Sequence, residues 1–473
     1  MSPNILKKYK QLSLWCVALL SFIAFSSRDL YWVHTPYDAW RIYEIIILCT
    51  WTILLFFMKN PKTLHFNKNI SNLYFYSLIF LFFFSCLAIY HAQYWQRAIV
   101  DISLYFLLIT STYTLANLFK KFPITTQQVS ACLAILPLLC LLFLPFALYQ
   151  KIQGNIAVWH QSFPNIRVFD DALLPCLFLL WFRPAWLSYQ SKKSKLYNFL
   201  ITSLIYFTST LYLLSFLFHG ARSSLLSISI SVFIGIFLYK DWKNFKIPLF
   251  SLLISGTIFY TLTYMLSINN LGTSYLARSG SSGRIELWEK CILVWKQHPF
   301  LGIGGDHFSL VKPFYLVAHP HNIPLQFLAE WGIIGIITML LFMPIIYKIF
   351  KNIQQIPSII FSASIAISIN SLLSGSMVYP ISQVLNIWIF AYLISYLLFS
   401  PLKQTSSHPI NTLLKYIAMI AMIAMIAIHG QDIVCNNCIS IDWEGAPRFW
   451  DAGRTLHLVP FDIEKIEEIP TQY

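Results

Sequence analysis

The densest group of reactive side chains in the sequence is His-Pro-His-Asn at 319–322, which runs directly into IPLQFLAEWGIIG. Two imidazoles and an amide stand where a long polar gap meets an apolar run. His321 has the chemistry of a general base, since an imidazole titrates near neutral pH and can take a proton from a hydroxyl. A lone histidine at a helix start more often bonds a backbone carbonyl. Here His319 and Asn322 adjoin it, and Glu330 and Trp331 follow about two turns along the predicted helix. His319, Asn322 and Glu330 are therefore read as supporting residues. Asp306 and His307 in the same gap raise metal binding as a rival chemistry. His-x-His without a nearby acidic pair is a poor zinc signature, so the sequence assigns no metal and no cofactor.

Two arginines are notable for where they stand. Arg222 lies in HGARSS at the outer end of an apolar run, and Arg284 lies in SSGRIELW within the long gap. An arginine near a membrane is costly unless it is paired or reaches water, and its planar fork suits phosphate. Snorkelling to lipid headgroups is the plainer role, better suited to Arg222 than to Arg284. Gly220 and Gly283 beside them would let a bulky anion approach the backbone.

These residues must be positioned by a membrane-embedded body. The chain has 473 residues, 57% hydrophobic, 17% aromatic and 11% charged, a composition outside the soluble range. Apolar runs of bilayer length recur, giving an all-α polytopic integral membrane protein with about 12–13 transmembrane helices. They fall in two blocks, residues 1–267 and 326–429. A large outer loop at 268–325 separates the blocks, and a short outer tail at 430–473 follows them. The first run follows a basic N-terminus without a small-residue cleavage site and reads as an anchor. The sixth run, 169–184, is short and flanked by Asp170, Asp171 and Pro184.

A net charge of +14 would suit nucleic acid, but its distribution does not. With the N-terminus inside, lysine clusters such as Lys7, Lys8, Lys120, Lys121, Lys192 and Lys193 fall in short inner gaps, as the positive-inside rule expects. The partners this implies are membrane lipids and no nucleic acid. Arginine shows the opposite bias: Arg28, Arg41, Arg97, Arg167, Arg222, Arg278, Arg284, Arg448 and Arg454 all fall outside, together with nearly every acid. Pairing between those arginines and acids is the plain alternative to anion binding.

Within the loop, Ile285, Leu287, Trp288, Cys291, Ile292, Val294 and Trp295 recur at helical spacing. They predict a helix lying on the outer membrane surface and ended by Pro299. Of nine cysteines, most sit in apolar runs as small fillers. Cys435 and Cys438 form a C-x-x-C in the outer tail, where a local disulfide is a better reading than a redox centre.

His321-Asn322, nine residues, Gly332, two residues and Gly335 resemble the His-Asn/Ser/Gln…Gly-x-x-Gly signature of the bacterial O-antigen ligase superfamily. That group includes lipopolysaccharide O-antigen ligases, O-antigen polymerases and protein O-oligosaccharyltransferases. SSGRIELW…HPFLGIGGDHF also looks like the loop of that family, and the likeness covers about 278–335. The resemblance implies a GT-C-like fold that takes an oligosaccharide from undecaprenyl pyrophosphate on the periplasmic face of the bacterial inner membrane. It implies His321 as base and Arg284 and Arg222 as pyrophosphate ligands, with Arg278 as a further candidate from the same stretch. The implied acceptor is a pilin-like periplasmic protein or lipid A–core. A growing lipid-linked polymer is the alternative within the family, and transport without chemistry is the alternative outside it. An extra predicted helix and the CNNC tail depart from the simpler ligases.

Overall fold

The computed structural model of the chain describes residues 3–26, 35–58, 68–153, 158, 159, 163, 165–182, 195–265, 283–311, 319–398, 409–434 and 449. It is an all-helical, multi-pass membrane protein. Nine helices among the described residues are long and apolar enough to cross a membrane, and Tyr76–His91 and Ser358–Ser371 are shorter apolar helices.

In chain order the helices are α1 (Pro3–Phe25), α2 (Pro36–Phe56), α3 (Lys68–His91), α4 (Trp95–Lys121), α5 (Pro123–Ile135), α6 (Leu138–Leu141), α7 (Leu144–Ile152) and α8 (Ile166–Phe182). There follow α9 (Lys195–His219), α10 (Arg222–Tyr239), α11 (Trp242–Tyr260), α12 (Arg284–Gln297), α13 (Ile323–Leu340), α14 (Met343–Lys351), α15 (Ser358–Ser371), α16 (Pro380–Leu397) and α17 (Pro409–Val434). They form two compact units that interleave along the sequence. One comprises residues 1–29, 118–279 and 354–393, and the other 30–117, 280–353 and 394–473.

In the first unit α10 packs on α15, α9 on α11, and α8 on α5 and α15. Close approach at α10 uses Gly235, where a Cβ would come within 2.2 Å of Ser362 Oγ. Polar groups bond across helices, as bilayer burial requires. The Trp388 indole donates to Ser130 Oγ at 3.0 Å, and the Trp181 indole donates to Ser209 Oγ at 3.0 Å. The apolar run expected at 129–149 is broken into α5, α6 and α7. Pro137 and Pro145 each lack an N–H and clash with the preceding turn, so a straight helix cannot continue. The sixth run also shifts: α8 starts at Ile166 and takes Asp170 and Asp171 inside it, both 1% exposed. The sequence placed these acids at the flank. They are tolerated within the helix because other helices supply partners, described below.

The second unit contains α2, α3, most of α4, α12, α13, α14 and α17. Thr35 caps α2, its hydroxyl accepting the Asp38 N–H at 3.2 Å, and Pro36 follows where a missing N–H costs nothing. Arg41 is buried and bonded to Glu44 at 2.5 Å, to the Phe449 carbonyl at 2.9 Å and to the Tyr37 hydroxyl at 3.3 Å. The predicted loop helix exists as α12, but its apolar stripe takes another partner. Leu287, Cys291 and Val294 are buried in one cluster with Ile303, Phe308, Val311 and Ala329 of α13. That face packs on protein, while Ile285 and Ile292 point outward. The run expected at 326–347 also changes: its helix starts at Ile323 and breaks at Gly332, whose φ of 60° and ψ of −152° are non-helical. Residues 333–351 then supply about 28 Å of helix at 1.5 Å per residue, close to the thickness of a hydrocarbon core.

Candidate functional site

The site in the second unit is built on the start of α13. Asn322 is its N-cap, the side-chain oxygen accepting the Leu325 N–H at 3.0 Å, with Pro324 in the first turn. His321 stands just before the cap with φ of +56°. A β-carbon there crowds the backbone, so a non-glycine residue holds this conformation only where its surroundings enforce it. They do so from both sides. The His321 N–H donates to His319 Nδ1 at 3.1 Å, and the two rings meet at 4.4 Å in an edge-on arrangement. The Pro320 carbonyl accepts the Trp288 indole N–H at 3.0 Å. His319 is buried and His321 is half-buried. The turn thus fixes the backbone of His321 and leaves its ring partly accessible.

Trp288 ties this turn to α12. Arg284 opens that helix and lies four residues before Trp288, hence on the same helical face. The helix gathering Arg284 is therefore the one whose indole holds the backbone beside His321.

The glycines of the signature have a steric cause. At Gly332 a Cβ would come within 2.4 Å of the Phe300 carbonyl oxygen, and at Gly335 within 2.5 Å of the Phe327 carbonyl oxygen. The break at Gly332 frees two helix carbonyls and one helix N–H, and the 299–304 loop pairs with them. Ile303 N–H donates to Ala329 O at 3.2 Å, Gly304 N–H to Glu330 O at 2.9 Å, and Ile333 N–H to Pro299 O at 2.9 Å.

Of the acids around this loop, Glu330 holds backbone, while Asp306 and Asp101 hold side chains. Glu330 is fully buried, with one oxygen accepting the Phe308 N–H at 3.0 Å and the other the Gln326 amide at 3.3 Å. It thereby caps the short 3-10 turn Phe308–Leu310. Asp306 is bonded to Arg97 of α4 at 2.7 and 2.8 Å, and Arg97 also donates to Ser309 Oγ at 3.2 Å. His307 bonds the Gly305 carbonyl through Nδ1 at 2.8 Å and accepts the Tyr94 N–H at Nε2 at 3.0 Å. Both of its ring nitrogens are engaged by backbone, which also sets the tautomer. The Trp331 indole donates to Asp101 at 3.1 Å. Burial pushes the Cys291 thiol well up from its ordinary value, and the nearby Glu330 carboxylate adds to this.

Arg222 belongs to the first unit. It opens α10, half-buried, with no acid in the first helical turn. Three residues earlier His219 ends α9, its Nδ1 2.8 Å from Asp170 Oδ1 and its ring stacked on Trp159 at 4.4 Å and 4°. Asp171 accepts from Asn370 at 2.7 Å and from Ser374 at 2.8 Å.

The second unit thus brings together His319, His321, Asn322 and the α12 face carrying Arg284. Glu330 lies further along α13 with its oxygens on backbone and amide. Arg278, Cys435 and Cys438 lie outside the described residues. Sequence reasoning missed the structural roles of Arg97 with Asp306, Trp288 with Pro320, and His219 with Asp170. Only Trp288 left a signal, as one of the apolar residues at helical spacing.

Residues 207–340 match the family described as O-antigen ligase. The match runs from α9 to the end of α13 and includes Arg222, Arg284, His321, Gly332 and Gly335. An uncharacterized protein of Haemophilus influenzae is 26% identical over 338 residues, 64% of this chain and 78% of that protein. Proteins of Rickettsia felis and Rickettsia prowazekii bearing the name "Putative polysaccharide ligase" are 31% and 32% identical, over 38% and 39% of this chain. The alignments span about half the length of those two relatives, 47% and 48%. The family match lies across the segment that carries the signature, so over that segment this chain is similar to O-antigen ligases.

Proposed function

We propose that the chain transfers an oligosaccharide from undecaprenyl pyrophosphate to an acceptor hydroxyl at the periplasmic face of the bacterial inner membrane. The acceptor is a periplasmic protein of the pilin kind or lipid A–core. The observation that carries this reading is His321, half-buried and held at positive φ at the head of α13 by His319, Asn322 and Trp288. Strained backbone maintained by its surroundings is a mark of functional positions. His321 takes the proton of the acceptor hydroxyl as its oxygen attacks the anomeric carbon from the face opposite the phosphate. The new carbon–oxygen bond forms as the bond to the pyrophosphate oxygen breaks, so the sugar inverts. The electron pair departs on undecaprenyl pyrophosphate.

Arg284 and Arg222 are the proposed pyrophosphate ligands, with Arg278 a further candidate. Each of the first two opens a helix, where the backbone N–H groups already carry partial positive charge. Cation and helix N-terminus together favour an anion at each position, which suits a site for developing negative charge. Transport without chemistry would place ionisable residues near the middle of spans. Asp170, Asp171 and Asp101 instead fall within the first two turns of α8 and α4, and Glu44, in the third turn of α2, is paired with Arg41.

Purified full-length protein, lipid-linked donor and each acceptor in turn test the proposal. His321→Ala is expected to lower transfer by roughly 10²–10⁴-fold, the usual range for a removed general base. Arg284→Lys, which keeps the charge and loses the fork, is expected to cost about tenfold in donor use. Full transfer by both variants, at normal protein level, would sink the mechanism.

A further inference from the structure

We propose that His219 is a positioning residue for Arg222, locked in place by Asp170 and Trp159. The inference rests on the reading of Arg222 as a ligand of the donor pyrophosphate. Only Gly220 and Ala221 separate the two residues, and every N–H between them is used. Ala221 N–H donates to Phe216 O at 2.9 Å and Gly220 N–H to Leu217 O at 3.0 Å, with Gly220 at φ of 63°. This is the left-handed glycine stop that ends many helices. Arg222 N–H then donates to Gly220 O at 2.9 Å, closing a three-residue turn at Ala221. A two-residue connection bonded in this way has no slack, so the end of α9 sets the start of α10.

His219 fixes that end. Its Nδ1 bonds Asp170 of α8, one ring face lies on Trp159, and its edge meets Phe169 at 5.8 Å and 85°. Trp159 is itself tied to α9 through its indole N–H, which donates to Ser215 Oγ at 2.8 Å. His219, Asp170 and Trp159 are 5%, 1% and 1% exposed, whereas Arg222 is half-buried at the helix start. The buried cluster adjoins two half-buried cations, Arg167 three residues before Asp170 on α8 and Arg222 at the start of α10, and the bonded turn joins it to Arg222. A cation at a helix N-terminus is repelled by the helix itself, so its placement needs such restraint.

A double-mutant cycle on the purified full-length protein, with donor KM, kcat and thermal unfolding as readouts, tests this. His219→Ala is expected to raise donor KM about tenfold with kcat within about twofold, in the range of coupling between neighbouring residues. Asp170→Asn should move donor KM in the same direction by less. Added to Arg222→Ala, His219→Ala should change donor KM no further, whereas its effect should multiply in full with that of Arg284→Lys. A merely structural role would lower the unfolding temperature and multiply equally with both arginine variants, which would overturn the inference. If His219→Ala does not fold, His219→Gln takes its place: its amide can still donate to Asp170 but the stack on Trp159 is lost, so donor KM should rise by less than tenfold, and no rise would overturn the inference. Arg222→Ala without effect on donor KM would instead overturn the donor reading of Arg222, and this inference with it.

Discussion

The two units hold their candidate site residues by different physical means. At the head of α13 the turn and its loop are held largely through backbone, with the Arg97–Asp306 pair behind the loop. Glu330 takes a loop N–H, Trp288 donates to a proline carbonyl, and the Gly332 break hands helix carbonyls to the 299–304 loop. At the ends of α8 and α9 it is held through side-chain pairs: His219 with Asp170, and Asp171 with Asn370 and Ser374. A loop must satisfy its own N–H and C=O groups from outside, because no helix does so for it. At the α9 end the bonded turn through Gly220 and Ala221 already satisfies backbone groups that a helix end leaves open, so side-chain pairs make the tie to α8. In both units the paired groups are buried, while the residues assigned to chemistry are half-buried: His321, Arg284 and Arg222. Buried, paired side chains therefore form the scaffold, and the residues proposed for chemistry stand half-buried on it.

The largest expected effect falls on the scaffold. Arg97 and Asp306 are 7% and 4% exposed and bonded to each other. Arg97→Ala leaves a buried carboxylate without its cation, which typically costs about 3–5 kcal/mol. The thermal unfolding midpoint should fall sharply, and the 299–311 loop should become an early site of limited proteolysis. Arg222→Ala should hardly move either measurement, because a half-exposed arginine at a helix start adds little stability. Equal losses of stability in the two variants would remove the distinction between scaffold and working group.

Gly332→Ala tests the backbone device itself. Residue 332 would have to hold φ of 60°, and its Cβ would meet the Phe300 carbonyl oxygen at 2.4 Å. The conformation alone costs about 1–3 kcal/mol for a residue with a side chain. Relief comes by pushing the 299–304 loop off α13, so hydrogen exchange at Ile303 and Gly304 should speed up while transfer falls. Unchanged exchange at those amides would mean that the break does not hold the loop.

These devices were legible in the sequence to different degrees. Composition and lysine distribution suffice for the class, because a bilayer admits few backbone solutions. The His321-Asn322…Gly332-Gly335 spacing marks the site, because an N-cap and a close-approach glycine are local demands with local residue preferences. The pairings were not legible. Arg97 and Asp306 are 209 residues apart and His219 and Asp170 are 49 apart, so no spacing rule joins them. Glu330 was read as a supporting residue from its position two turns below His321. Its place as a backbone cap depends on where the Phe308 turn returns, which only the tertiary fold decides. The break at Gly332 was hidden for a related reason. A glycine in an apolar run is ordinary in membrane helices, and only the loop crossing it gives it a left-handed conformation.

The smallest effect tests the join between α12 and the turn that carries His321. Trp288→Phe keeps an aromatic ring against the cluster that includes Leu287, Cys291 and Ala329, and removes only the donor to the Pro320 carbonyl at 3.0 Å. A single neutral hydrogen bond contributes about 1 kcal/mol, so overall stability should fall only slightly. If the bond exists to hold His321 in its strained turn, kcat should fall by about fivefold, the equivalent of that energy, while donor KM stays put. If α12 instead positions donor and base together, donor KM should rise as well, because Arg284 shares the face of Trp288. Loss of stability without change in either constant would reduce Trp288 to packing. The fixing of His321 would then fall to His319 and Asn322 alone.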